Sequence, residues 1–189
     1  MRANVISALA AAAVMAGAVT ANAQVAISQD GRPEKMAAIK HMNGLNNTDM
    51  KMFQAIYWGN AFEIKASEIA MNRGQSSWTK EYSKEMVHEH TMAQNELKLL
   101  AMDKGVSLNN NLPKDLVSAL NRLRNASSSS FDAQYRAAIM SSHAQASNVL
   151  KKAIKSGHDE MVRSYAIKML PAVKEHYSMA MVRSTMMGN

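Results

Sequence analysis

Apolar residues recur every three to four positions in four long stretches of the chain, which is the spacing of one buried face on an α-helix. These stretches cover about residues 48–72, 78–104, 130–156 and 159–185, and a shorter one runs from after Pro113 to about residue 124. Thr48 is the predicted N-cap of the first helix, while Gly105 and Gly157 mark the ends of the second and third. No alternating strand pattern occurs, so the predicted fold is all-α.

Each long helix has one stripe of residues that faces the predicted core. The stripes are Phe53, Ile56, Asn60, Glu63, Ser67 and Ala70; then Trp78, Tyr82, Met86, His90, Ala93, Leu97 and Leu100; then Phe131, Tyr135, Ile139, His143, Ala146, Leu150 and Ala153; and finally Met161, Tyr165, Met169, Val173, His176 and Ala180. Four such helices predict an antiparallel four-helix bundle, with a short extra helix between helices 2 and 3. Pro171 cannot donate a backbone hydrogen bond, so a kink or break is expected near Leu170.

A faint internal repeat relates the two halves of the predicted bundle. Gly74, Tyr82 and Met86 recur 83 positions later as Gly157, Tyr165 and Met169, and Ala70 recurs as Ala153 at the same offset. Both copies lie at a junction between two helices. The repeat therefore predicts two similar helical hairpins that pack with approximate two-fold symmetry.

The N-terminus has the layout of a removable export signal. Arg2 precedes an apolar run over residues 5–19, and small residues stand at the −3 and −1 positions, Ala21 and Ala23. The apolar run is shorter than the roughly 20 residues that a membrane-spanning helix needs. We predict a signal peptide over 1–23 that is cleaved after Ala23, a loose lead over 24–47 and a bundle domain over 48–185. The mature protein is then periplasmic or secreted.

Composition narrows the classes of function. The chain has no cysteine, a net charge of +7, only 5% aromatic residues and 17 methionines. Its basic residues are scattered among acidic ones, which argues against nucleic-acid binding, although a basic protein can favour an anionic envelope surface or a protein partner. No other stretch is apolar enough to span a membrane. No nucleophile with a partner emerges, so a non-enzymatic role is favoured.

Each long helix places one ionisable residue inside its apolar stripe, namely Glu63, His90, His143 and His176. Side chains at one level of four facing helices converge on a common point, and bundle cores commonly hold metals in this way. Three imidazoles and one carboxylate suit Zn, Fe or Cu, so these four residues form the predicted metal site. Glu89 and Glu175 each precede a histidine and are the predicted outer-shell partners, which would hold an imidazole tautomer.

Three other interpretations stay open at this point. The same residues, with Tyr82, Tyr135 and Tyr165, would also serve as a purely structural hydrogen-bonded network in a non-catalytic interaction module. A cluster of four methionines at the C-terminus, Met179, Met181, Met186 and Met187, would suit a thioether site in a copper carrier. Glu85 and His88 form a lone Glu-x-x-His outside the stripe, and His41 and His158 are expected at the surface.

Several segments together resemble the bacterial "domain of unknown function 4142" family. They are Phe62-Glu63-Ile64, the run from Tyr82 to His90 with Asn95-Glu96-Leu97, Phe131-Asp132 with Tyr135 and His143, and Leu170-Pro171 with Lys174-Glu175-His176. The resemblance covers about residues 48–183. It implies an exported, ferritin-like bundle whose recurrent polar residues fall on Glu63, His90, His143 and His176. It implies no established activity, and the carboxylate set of true ferritins is missing. The function expected from the sequence is metal binding, or stress sensing through that metal, in the envelope.

Overall fold

A computed structural model describes residues 45–186, with side chains described as far as residue 182. It contains five helices: α1 (Asn47–Arg73), α2 (Ser77–Asp103), α3 (Lys114–Asn125), α4 (Ser128–Ser156) and α5 (Glu160–Met186). The all-α prediction is confirmed, and the described part has no strand. The predicted signal peptide (1–23) and residues 24–44 of the predicted lead lie outside the described residues. None of the described helices combines the length and apolar character that crossing a membrane requires.

The start of α1 differs from the prediction. Asn46, not Thr48, is the N-cap, since its side chain accepts hydrogen bonds from the backbone N–H groups of Thr48 and Asp49. The cap residue lies outside the helix and bonds to N–H groups two and three positions on, which places Thr48 in the first turn. Ser76 caps α2 in the same way through the N–H of Thr79.

The four long helices form two antiparallel hairpins, α1–α2 and α4–α5, joined by a crossover that contains α3. The C-terminal half of α1 meets the N-terminal half of α4, where the Ser67 and Tyr135 hydroxyls are 2.8 Å apart, so these neighbours are also antiparallel. Helix α3 packs against α1 and α4 and buries Leu120 and Leu123. A bundle with one long crossover is compatible with the predicted ferritin-like arrangement.

The approximate two-fold repeat is visible in paired contacts. Asp49 accepts hydrogen bonds from the backbone N–H groups of His158 and Asp159 in the α4–α5 turn. Its counterpart Asp132, 83 positions later, accepts from Gln75 and Ser76 in the α1–α2 turn. Each helical hairpin therefore holds the turn of the other hairpin.

The same symmetry extends into the core and to the turns. The Tyr82 hydroxyl donates to the carbonyl of His176, and the Tyr165 hydroxyl donates to the carbonyl of Ala93, again at an offset of 83. Gly74 and Gly157 end their helices where an added Cβ would lie 2.7 and 2.5 Å from a backbone carbonyl oxygen. These two junctions therefore need a residue without a side chain.

The core consists of two apolar clusters, one toward each end of the bundle, with a polar layer between them. The predicted stripes are buried, apart from a few half-buried members. Helix α5 continues through Pro171, so of the predicted kink or break the break is wrong, and the kink stays a prediction. Pro171 and Ile167, whose carbonyl loses its helical partner, both lie on the exposed side of α5. Water can therefore satisfy that carbonyl, and the helix continues.

Candidate metal centre

Three histidine side chains from three helices meet in the polar layer. His90 of α2, His143 of α4 and His176 of α5 have ring centroids 5.3–5.6 Å apart. Each is buried, and each offers one ligand atom that lies within 4.8 Å of the other two. The helical periodicity therefore selected three side chains that the fold brings together.

The nitrogens of each ring have different partners. The outward nitrogens contact oxygen atoms: His90 Nδ1 is 3.1 Å from Asn60 Oδ1, His143 Nδ1 is 3.0 Å from the Ile139 carbonyl, and His176 Nε2 is 2.9 Å from Glu89 Oε2. A carbonyl or a carboxylate oxygen only accepts hydrogen bonds, so these nitrogens carry the protons. The inward nitrogen of each ring is therefore bare whenever that ring is neutral.

The inward nitrogens lie close to one another. His143 Nε2 and His176 Nδ1 are 3.3 Å apart, and His90 Nε2 has no hydrogen-bond partner in the described part of the chain. Two lone pairs face each other across the first contact when both rings are neutral. A cation between the rings, or an additional proton on one of them, would relieve this repulsion.

The electrostatics favour neutral imidazoles at His90 and His176. Burial, with the neighbouring His143 and His176, holds the pKa of His90 well below its ordinary value. Burial, again with His143 beside it, lowers the pKa of His176 to about 4. Protonating either ring would place a positive charge in a region of low dielectric next to other rings. Neutral imidazole is also the form that ligates metals.

Glu63 of α1 lies behind His143. Its Oε1 is 3.4 Å from His143 Nδ1, its Oε2 has no hydrogen-bond partner within the protein, and only 2% of the residue is exposed. Burial raises the pKa of this carboxyl, while the charge of His143 and a hydrogen bond from Ser142 act in the opposite direction. Of the four predicted ligands, Glu63 is thus the one that faces an outward ring nitrogen.

The two predicted outer-shell glutamates have different positions. Glu89 contacts His176, on the facing helix, instead of its neighbour in sequence, because adjacent residues of a helix point about 100° apart. Glu175 is exposed. Burial raises the pKa values of Glu85 and Glu89, and the charge of Glu175 raises them further. The three carboxyls therefore lie near one another on the α2–α5 side.

The sequence analysis missed Asn60 as a partner of the histidines. Asn60 is a polar residue in an apolar stripe, the same signal that selected the ionisable residues, and it contacts His90. Of the three tyrosines in the alternative structural network, Tyr135 bonds to Ser67, and Tyr82 and Tyr165 donate to backbone carbonyls. The Tyr165 hydroxyl also lies close to the Asn60 side chain; burial raises the pKa of this tyrosine, and the hydrogen bond with Asn60 acts to lower it.

The remaining candidates lie apart from the cluster. His88 and His158 are exposed, and His41 lies outside the described residues. Met179 packs in the apolar cluster of Tyr82 and Tyr135, whereas Met181 is 42% exposed. Met187 also lies outside the described residues, so the methionine site stays a prediction.

Comparison with known proteins agrees with the resemblance in the sequence. The family model of a domain of unknown function, DUF4142, matches residues 34–182. No curated protein and no solved structure matches the chain. Since the matched region covers most of the chain, including all three histidines of the cluster, this protein belongs to the DUF4142 family.

Proposed function

We propose that the bundle binds one transition-metal ion through His90 Nε2, His143 Nε2 and His176 Nδ1. The observation that carries the proposal is the pair of bare inward nitrogens at 3.3 Å. Tetrahedral Zn²⁺ with Zn–N bonds of about 2.0–2.1 Å places two ligand nitrogens about 3.3 Å apart. His90 lies somewhat farther away, and a small inward movement of its ring would complete the set.

The partners of the outward nitrogens support the same proposal. Histidines that ligate metals almost always donate their second ring N–H to a carboxylate, carbonyl or water, which fixes the tautomer and raises the basicity of the ligand. Asn60, Ile139 and Glu89 provide such acceptors, one for each ring. Glu63 adds a buried negative charge behind His143, which would offset part of the charge of a divalent ion.

The alternative is that the polar layer is purely structural. A structural network is stable when all of its members are hydrogen-bonded, because an unpaired buried polar atom costs about 1–3 kcal/mol. Among the described residues, four buried side-chain atoms have no hydrogen-bond partner: Asn60 Nδ2, Glu63 Oε2, His90 Nε2 and Gln94 Oε1. Three of them belong to residues of the cluster or to their direct contacts. This pattern favours a layer that is completed by a bound ion.

The test is uptake of Co²⁺, which reports its own coordination through visible d–d bands. Protein purified with a chelator is titrated with Co²⁺ and then with Zn²⁺, and retained metal and melting temperature are measured. We expect one ion per chain, bands of tetrahedral intensity and a raised melting temperature. His143→Gln and His176→Gln should lose the bands, while His88→Gln, an exposed histidine on α2, should keep them.

A folded wild-type protein that takes up no Co²⁺, Zn²⁺ or Cu²⁺ would contradict the proposal.

We further propose that the protein acts outside the cytoplasm, as its N-terminal residues 1–23 suggest. Fractionation of cells that express the full chain, with sequencing of the mature N-terminus, tests this directly. Mature protein that begins at Gln24 in the periplasmic or secreted fraction is expected, and full-length protein in the cytoplasm would contradict it.

A further inference from the structure

The polar layer borders a cavity of about 450 Å³ that is partly open to solvent, since exposed residues such as Asp115 and Gln145 also line it. The three histidines of the cluster line this cavity, as do residues of α1 and α4 and one edge of α3. An apolar cavity of about 150 Å³ is sufficient to bind benzene, so this space can hold a considerably larger molecule. It also falls within the size range of small-molecule sites in proteins.

Small residues create much of this space. Gly59, Ala55, Ala119, Ala138 and Ala146 line the cavity where α1, α3 and α4 meet. A Cβ added to Gly59 would meet no atom within 4 Å. Glycine in a helix interior costs about 0.5–1 kcal/mol relative to alanine, and packing at this position does not require it. The open space next to Gly59 is therefore a feature of the cavity wall.

The rest of the wall combines apolar and polar side chains. Trp58, Phe62, Leu116 and Val149 provide apolar surface, and the histidine cluster with Asn60 and Glu63 provides buried polar groups, while Asp115 and Arg122 are exposed. Among these buried polar residues, Asn60 Nδ2, Glu63 Oε2 and His90 Nε2 have no partner within the protein. Asn60 and Glu63 are 8% and 2% exposed, so bulk water does not solvate these atoms well.

We propose that this cavity binds a monocarboxylic acid with an apolar tail, whose carboxylate takes the open coordination position of the metal. The inference rests on the proposed metal site. Three histidines leave a fourth position of a tetrahedral ion free, which is typical of sites that bind an exogenous ligand. The second carboxylate oxygen would accept a hydrogen bond from Asn60 Nδ2, and the tail would lie against the apolar wall.

Charge balance selects the carboxylate over other polar heads. A divalent ion with three neutral imidazoles and the buried Glu63 carboxylate leaves one net positive charge. The wall also carries the charged side chains of Glu89, Asp115 and Arg122. The Glu89 side chain is 34% exposed, and Asp115 and Arg122 are exposed, so solvent screens these three charges. A buried centre is most stable near neutrality, so one further negative charge from the ligand is favoured.

The experiment titrates the Co²⁺-loaded protein with butanoate, hexanoate and octanoate, and with 1-octanol as a tail that has no carboxylate. We expect the carboxylates to shift the d–d bands and to bind about fourfold more tightly per added methylene until the cavity is filled. 1-Octanol should bind more weakly than octanoate. The metal-free protein should bind octanoate at least tenfold more weakly than the loaded protein.

A cavity-filling variant with a matched control locates the ligand. Gly59→Leu fills the cavity and should weaken octanoate binding at least tenfold while it keeps the Co²⁺ bands, whereas Gly59→Ala should bind like the wild type.

The outcomes separate this inference from the proposed function. Absence of Co²⁺ bands in the folded wild-type protein would overturn the metal site, and this inference with it. Co²⁺ bands that no carboxylate shifts would overturn this inference alone. Band shifts that persist unchanged in Gly59→Leu would also overturn it, because the ligand would then reach the metal by a route other than the cavity.

Discussion

Glu63→Gln should change metal-free stability and metal affinity in opposite directions. The substitution removes a negative charge and keeps an oxygen that can accept from His143 Nδ1. Glu63 is fully buried, one of its carboxylate oxygens has no partner within the protein, and burial raises its pKa. In metal-free protein this charge is a cost, since nothing of opposite sign balances it when His143 is neutral.

The effect in the metal-free protein follows from proton linkage. A carboxyl whose pKa is raised on folding contributes stability that is fully present below its ordinary pKa, near 4.5, and is lost as pH rises through the folded pKa. Metal-free Glu63→Gln should therefore match the wild type at pH 4 and be more stable at pH 7.5, by about 1–3 kcal/mol, the typical cost of a buried polar atom without a partner.

With metal bound, the same charge becomes favourable. A carboxylate behind a ligating histidine typically contributes 10–100-fold to metal affinity. We expect Glu63→Gln, which retains an acceptor, to lose about tenfold, or about 1.4 kcal/mol. Urea denaturation with a chelator at pH 4, 5.5 and 7.5 measures the first effect, and competition with a chromophoric chelator measures the second.

Glu68→Gln, exposed one turn farther along α1, is the control and should change neither quantity. A metal-free Glu63→Gln protein less stable than the wild type at pH 7.5, together with unchanged metal affinity, would refute the reasoning.

Three further predictions concern the scaffold. Gly59→Ala should raise the free energy of unfolding, measured by urea denaturation, by about 0.5–1 kcal/mol. The added methyl group meets open space in the folded protein and restricts the unfolded chain. A destabilised variant would show that the wall beside Gly59 is closed. Arg73→Met should lower the free energy of unfolding by about 2–3 kcal/mol and speed amide hydrogen exchange in α3. The reason is that the guanidinium donates to the carbonyls of Leu123, Arg124 and Ala126. Lys65→Met, at an exposed position, is the control, and equal exchange rates of α3 in the two variants would contradict this role. Asp132→Asn should be less stable than the wild type at pH 7, and the difference should shrink as pH falls below about 4. Backbone N–H donors lower the pKa of Asp132, so its contribution to stability is lost as pH falls through the folded pKa. A difference that does not depend on pH would mean that the carboxylate charge contributes nothing.

The sequence determined the helices and most of the core, because both depend on local periodicity. A stripe of apolar residues every three to four positions has only one stable arrangement in water, with the stripe facing other stripes. The same logic selected His90, His143 and His176, since a polar residue inside such a stripe must lie in the core. Thr48 was wrong as the cap, because the neighbouring Asn46 takes that role. Helix α5 also does not break at Pro171, since solvent can satisfy the carbonyl that the proline leaves without a helical partner.

The tertiary structure alone decided which atoms meet. Periodicity places Glu63 and the three histidines at one level of the bundle, but it does not fix the rotation of each helix. That rotation brings the histidine nitrogens together and places Glu63 behind His143. Glu89 contacts the histidine of another helix, and Asn60 faces His90, for the same reason.

The repeat and the cavity show the same division. The offset of 83 is visible in the sequence at Gly74 and Gly157, but the exchange of contacts through Asp49 and Asp132 depends on how the two hairpins pack. The cavity likewise results from small residues on three helices that are distant in the chain. A sequence specifies its local faces through periodicity, whereas packing between distant segments decides distances of a few ångströms. Metal binding and ligand binding depend on those distances.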